Sequence, residues 1–164
     1  MTHRPLDPRI TNIAHDADVL DRDGSARDAL VDRFIELAAT RRLRVVIPGG
    51  VRQQVQHPHT SHDVKSAVLP RIFNLRPGLN ASQQDTRHRI LVALQGNARR
   101  ETHAADASHL AEAVETGCAF FIARDKRFFR KRNELREVLP PSLNIVTLEE
   151  FFEILDDYEA RRPR

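Results

Sequence analysis

Cys118-Ala119-Phe120-Phe121-Ile122 is a run of five apolar residues that opens directly after Gly117 and closes three residues before Asp125. A short continuous apolar run bounded by turn signals reads as a buried strand. A helix from about His103 to Thr116 precedes it and stops at Gly117, the residue type that most readily ends a helix. A second helix follows from about Lys126 and is over before Pro140-Pro141. Leu143-Asn144-Ile145-Val146 is then a short strand, and Thr147-Leu148-Glu149-Glu150 opens a last helix with a T-x-x-E capping box.

The same alternation begins the chain. A strand over Arg9–His15 is followed by a helix that starts at Ser25, with Asp28 as its acidic box partner. Leu30, Phe34, Leu37 and Ala38 recur at helical spacing, and Arg41-Arg42 suits the negative end of the helix dipole. Leu43–Ile47 is a β-branched strand that enters a turn at Pro48-Gly49-Gly50, and a short helix from Val51 to about His57 follows. Val64–Leu75 and Ser82–Ala98 have inward faces at Ile72, Phe73, Ile90, Leu91 and Leu94. They form a helical hairpin at about 58–100, separated by Pro77-Gly78, with Pro70 at a kink. Strands alternating with helices specify an α/β fold: three layers, α/β/α, around a mainly parallel sheet of four or five strands. The expected domain runs over 1–158, followed by a polar tail over 159–164.

At 164 residues the chain is long enough to bury a sizeable core. No uncharged apolar stretch is long enough to span a bilayer. The opening M-T-H-R-P-L-D-P-R lacks the apolar core of a secretory signal, so no membrane association and a cytoplasmic location are expected. The lone Cys118 excludes an internal disulfide and is expected as a small core residue.

Three carboxylates sit where a parallel sheet assembles a site. Asp16 follows the first strand, Asp106 lies in the first turns of a helix, and Asp125 follows the apolar strand. Each has a local alternative as a turn former, a dipole partner or a cap. Together they suggest a hard divalent cation held by oxygen ligands. Lys and Arg total 26 against 23 Asp and Glu, a surplus too small to argue for a polyanion partner by itself. The basic residues are concentrated, however: Arg124, Lys126, Arg127, Arg130, Lys131 and Arg132 crowd around Asp125. A solvated helix face accounts for such a run taken alone. Beside metal carboxylates, a basic rim is also what a phosphodiester needs.

Asp16-Ala17-Asp18-Val19-Leu20 resembles the D-[TSA]-N-hydrophobic opening of the PIN-domain nucleases, with Asp18 where that family usually has Asn. The segment Asp106 to Asp125 is similar to that family's third and fourth acidic motifs, and Asp125-Lys126-Arg127-Phe128 and Ile145–Phe151 resemble its ending. The resemblance covers most of the chain and is weakest over 58–100. It implies a Mg²⁺- or Mn²⁺-dependent ribonuclease in which Asp16, Asp106 and Asp125 hold the metal. Arg124, Lys126, Arg127 and Arg130 would then position single-stranded or structured RNA. Small bacterial members are often toxins of toxin–antitoxin pairs, which implies a small antitoxin partner; a homodimer is implied as well. Two positions depart from the pattern. Gln54 stands where the family has a metal-binding Glu, and Ala123 where it has Thr or Ser, so a relative that binds RNA or a protein without cutting is the alternative.

Other patterns carry less. His57, His59 and His62 form H-P-H-T-S-H, but with no cysteine nearby and Pro58 between the first two, the spacing matches no common zinc site. Pro48-Gly49-Gly50 lacks the G-K-[ST] of a phosphate loop. No pattern links Asp85, His88 and His103, which are expected on the surface.

Overall fold

A computed structural model describes residues 4–46, 81–95 and 104–161. The expected elements at 47–80, including Gln54, the three-histidine segment and the first half of the hairpin, lie outside those residues. Within them, β1 (Asn12–His15), β2 (Arg44–Val45), β3 (Cys118–Ile122) and β4 (Asn144–Val146) form one four-stranded sheet. Its order is β2-β1-β3-β4 and every pairing is parallel. The helices are α1 (Arg27–Ala39), α2 (Ala81–Gln95), α3 (Ala104–Glu115), α4 (Lys126–Arg130), α5 (Arg132–Val138) and α6 (Leu148–Ala160). A 3-10 turn at Ala17–Leu20 leaves β1. This is the three-layer α/β/α arrangement that the alternation specifies.

Both faces of the sheet are covered, which is why β3 is buried along its whole length. From Phe120 onward period-two alternation divides it; the register shift opposite Asn12 and Ile13 breaks the alternation at Ala119, so Cys118 falls on the side away from Phe120. Phe120 and Ile122 face α1 and α6, packing with Ile13, Val45 and Val146 against Phe34, Leu37, Phe151 and Leu155. Phe151 is the centre of this layer, meeting Phe34, Phe120 and Phe152 edge-on at ring distances of 6.0, 5.6 and 5.6 Å. Phe121 and Cys118 face the other way, with Ala14, Val46 and Ile145, onto Ile90 and Leu94 of α2, Leu110 of α3, Phe128 of α4 and Leu135 of α5. Three of the five alanines of α3 (Ala107, Ala111 and Ala113) are buried in that layer.

Several boundaries shift. Residues 7–11 form a turn ahead of β1: Asp7 accepts from the Arg9 backbone N–H at 3.0 Å, and the Thr11 hydroxyl donates to the Asp7 carbonyl. That turn shortens the strand expected from Arg9. The Asp28 carboxylate does not reach back to Ser25, although the Asp28 backbone N–H donates to the Ser25 carbonyl at 3.1 Å. Its two oxygens accept from the backbone N–H groups of Asp23 and Gly24, both at 3.0 Å, while Ser25 accepts from Arg27. The helix expected from Lys126 is two helices, broken at Lys131 (φ −98°, ψ 14°). Beyond the break Arg132 turns inward to donate to the Ile145 carbonyl of β4 at 3.1 Å. Thr147 and Glu150 form both halves of their capping box, and α6 continues to Ala160, two residues beyond Tyr158. Gly117 holds φ +65° after α3, the left-handed conformation expected of it. Among the described residues no helix is long and apolar enough to cross a membrane.

Candidate metal centre

The strand order places the site. From β1 the chain moves outward to β2, then returns to the opposite side of β1 for β3 and continues to β4. The order reverses between β1 and β3, and in open parallel sheets the crevice beyond the carboxyl ends of such a strand pair is where ligands bind. Asp16 is the first residue after β1. Its backbone N–H donates to the Ile122 carbonyl of β3 at 2.9 Å, so the end of one central strand is tied to the end of the other.

Asp16 is 7% exposed, and its Oδ1 accepts twice. One donor is the Ala17 N–H at 2.9 Å, which makes Asp16 the N-cap of the 3-10 turn. The other is His109 Nδ1 at 3.0 Å, from a ring on α3 that is 2% exposed. Burial works against ionisation of Asp16, but the hydrogen bond and positive field of His109, with the Ala17 N–H, outweigh it and hold the carboxyl below its ordinary range. Asp106 lies one turn before His109 on α3, so the two side chains share a helix face. Asp16, Asp106 and His109 each offer a ligand atom, all within 4.8 Å of one another, and together could hold a metal ion. Burial raises the Asp106 pKa first, and the nearby Asp16 charge adds to it. Arg127 and His109 oppose the rise, while Asp125 adds to it.

Asp125, the third carboxylate of the sequence reading, takes the cap position that was its local alternative. It is not in the three-donor group. It caps α4, accepting from the Arg127 backbone N–H at 2.9 Å, and is also paired with the Arg127 guanidinium, Nη2 to Oδ2 at 2.6 Å. It nevertheless lies close enough for its charge to act on Asp106. Ala123 is 2% exposed and its methyl packs in the α2–α3 layer, with no hydroxyl to offer the site.

The basic rim is partly engaged. Arg124 pairs with Asp23 at 2.7 Å, Arg127 with Asp125, Lys131 with Glu134 and Arg132 with Glu150. Lys126 and Arg130 are exposed. Asp85 and His88 are surface residues, and Asp85 pairs with Arg89 one helical turn away. Cys118 is buried, with its sulfur 3.2 Å from the Thr116 hydroxyl.

Two residues here were not singled out by sequence. His109 is the more important; its one sequence signal is the D-x-x-H spacing from Asp106, which puts both residues on one side of a helix. The other is His15, buried at the end of β1. Its Nδ1 lies 2.8 Å from the Asp16 carbonyl, and its ring meets Phe34 edge-on at 5.8 Å. Its Nε2 is buried without a hydrogen-bond partner, and burial lowers its pKa. No protein-family model, curated protein or solved structure matches this chain, so the site is read from its own geometry and chemistry.

Proposed function

We propose that this chain is a divalent-metal-dependent endoribonuclease of the PIN-like kind, hydrolysing RNA phosphodiester bonds. The observation that carries the reading is the gathering of Asp16 and Asp106, with His109, at the crevice between β1 and β3. The carboxylate oxygens are donors suited to Mg²⁺ or Mn²⁺. The chemistry such an ion supplies is a more acidic water and compensation of the charge on the phosphate. The chain's own residues do the rest. Asp16 and Asp106 hold the cation and Asp125, at the rim, adds negative field. Lys126 and Arg130 are exposed to meet the RNA backbone, and Arg124 and Arg127 exchange their carboxylate partners for phosphate when substrate arrives. Contacts of that kind give affinity with little sequence information. An unpaired strand suits a recessed carboxylate site better than a duplex does. The same resemblance extends the proposal to the toxin of a toxin–antitoxin pair; a small adjacent reading frame whose product silences cleavage would support it.

The test is cleavage of a labelled single-stranded RNA with and without Mn²⁺, by the wild-type chain and by Asp16→Asn prepared identically. Metal-dependent cutting that disappears in Asp16→Asn is expected. Equal cutting by both chains marks a contaminant and sinks the claim. The second reading is a relative that binds RNA or a protein without cutting. It is favoured by the Asp125–Arg127 pair, which occupies a carboxylate the reaction would use, and by the buried methyl of Ala123. Binding of the same RNA without cleavage, by several substrates, would select it.

A further inference from the structure

His109 and the two atoms around it fix a question that the donor set leaves open, namely which residue meets the cation and which prepares another to do so. Asp16 Oδ1 accepts from Ala17 N–H at 2.9 Å and from His109 Nδ1 at 3.0 Å. A carboxylate oxygen has two lone-pair sites, so these two donors fill it. No hydrogen bond reaches Oδ2 among the described residues. The two donors come from different elements, the 3-10 turn after β1 and the middle of α3, so the carboxylate cannot swing without breaking both. An ionised carboxylate only accepts, so the imidazole nitrogen that faces it carries the proton and has no lone pair for a metal. The ring itself is 2% exposed, and the buried setting limits how far the donor can move.

We propose that His109 is a positioning residue for the metal carboxylate: its Nδ1–H holds Asp16 by Oδ1 so that Oδ2 alone faces the cation. The inference rests on the metal reading of the site given above. It also assigns a purpose to the D-x-x-H spacing. Asp106 and His109 lie one turn apart on α3, so the bond that orients Asp16 also sets how closely the α3 carboxylate approaches it. A hydrogen-bond partner of this kind behind a ligand commonly governs 10- to 100-fold of metal affinity, as an order of magnitude.

The experiment is Mn²⁺ titration of the full chain by calorimetry, together with pulsed paramagnetic resonance of the bound ion. It compares wild type, His109→Ala, His109→Asn and Asp16→Asn. Asparagine is chosen because its side-chain N–H lies where Nδ1–H does. His109→Ala is expected to weaken Mn²⁺ binding by about 10- to 100-fold, and His109→Asn to restore most of it. Wild type is expected to show no ¹⁴N coupling from a directly bound imidazole. Unchanged affinity in a folded His109→Ala overturns the role, because the bond would then be structural only. Strong ¹⁴N coupling overturns it in the other direction, by making His109 a ligand. If His109→Ala does not fold, the spectrum of wild type and the affinity of His109→Asn decide. Retained affinity without ¹⁴N coupling supports the role, and lost affinity overturns it. Failure of wild type itself to bind Mn²⁺, with Asp16→Asn indistinguishable from it, overturns the metal reading rather than the division of labour within it.

Discussion

Asp18 lies two residues beyond Asp16, half-buried, with Oδ1 enclosed and lacking a hydrogen-bond partner. Burial pushes its pKa up to about 6, the charges of Asp16 and Asp21 add to the rise, and Arg124 opposes it. The folded chain therefore binds this proton better than the unfolded chain does. The resulting stability is complete below the unfolded value of 3.8 and is lost as pH rises through about 6. In metal-free protein, Asp18→Asn is expected to raise the urea midpoint at pH 7.5, with the gap to wild type closing as pH falls towards 4. A gap that stays constant over that range would show that the carboxylate's charge is not the cause. His15 works in the opposite sense. Its lowered pKa means that the unfolded chain takes up the proton first, so its contribution is present above pH 6.5 and lost on acidification. The two effects act within a few residues of the same carboxylate.

Helix α1 ends without glycine. Arg41 takes φ +57°, its N–H donates to the Ala38 carbonyl at 3.2 Å, and Arg42 N–H reaches back to Leu37 at 3.0 Å, a Schellman pattern. A side chain at this position bears the left-handed penalty that glycine avoids. Arg41→Gly is expected to stabilise the protein by about 0.5–1 kcal/mol, read as a rise in unfolding midpoint with unchanged denaturant dependence. A loss of stability would mean that the Arg41 side chain contributes more than its backbone costs. The contrast with α3 explains what was legible. Gly117, the Cys118–Ile122 run and the Thr147–Glu150 box are signals written within a few residues, and each element they mark stands where the sequence put it. Arg41 read as a dipole partner because nothing local announces a left-handed arginine. The break at Lys131 was hidden for a related reason, since the Ile145 carbonyl that Arg132 meets belongs to a strand 13 positions away. His109 was the hardest to see. Asp16, its partner, is 93 positions away, and only the parallel pairing of β1 with β3 brings α3 above it.

At the scale of the molecule the candidate centre joins the two halves of the chain. One carboxylate leaves β1 and the other, with its histidine, rides on α3. A ligand that needs both binds only the folded state and stabilises it accordingly. Mn²⁺ at about one hundred times its dissociation constant is expected to add about 2.7 kcal/mol. For a chain of this size that is a rise in melting temperature of about 5–10 °C. Asp16→Asn should abolish the shift while keeping the fold. An equal shift in both chains would place the ion elsewhere.

The strand order also has a consequence in time. β1 has β2 on one side and β3 on the other, and the β3 partner is made more than a hundred residues after it. During synthesis, Asp16 leaves the ribosome first, and for most of translation neither Asp106 nor His109 exists to meet it. A nascent chain can carry β1, α1 and β2 and still have no centre. If the protein cuts RNA, the machine that makes it is surrounded by substrate, and a blade completed only once β3 has docked beside β1 stays sheathed until most of the chain has been made.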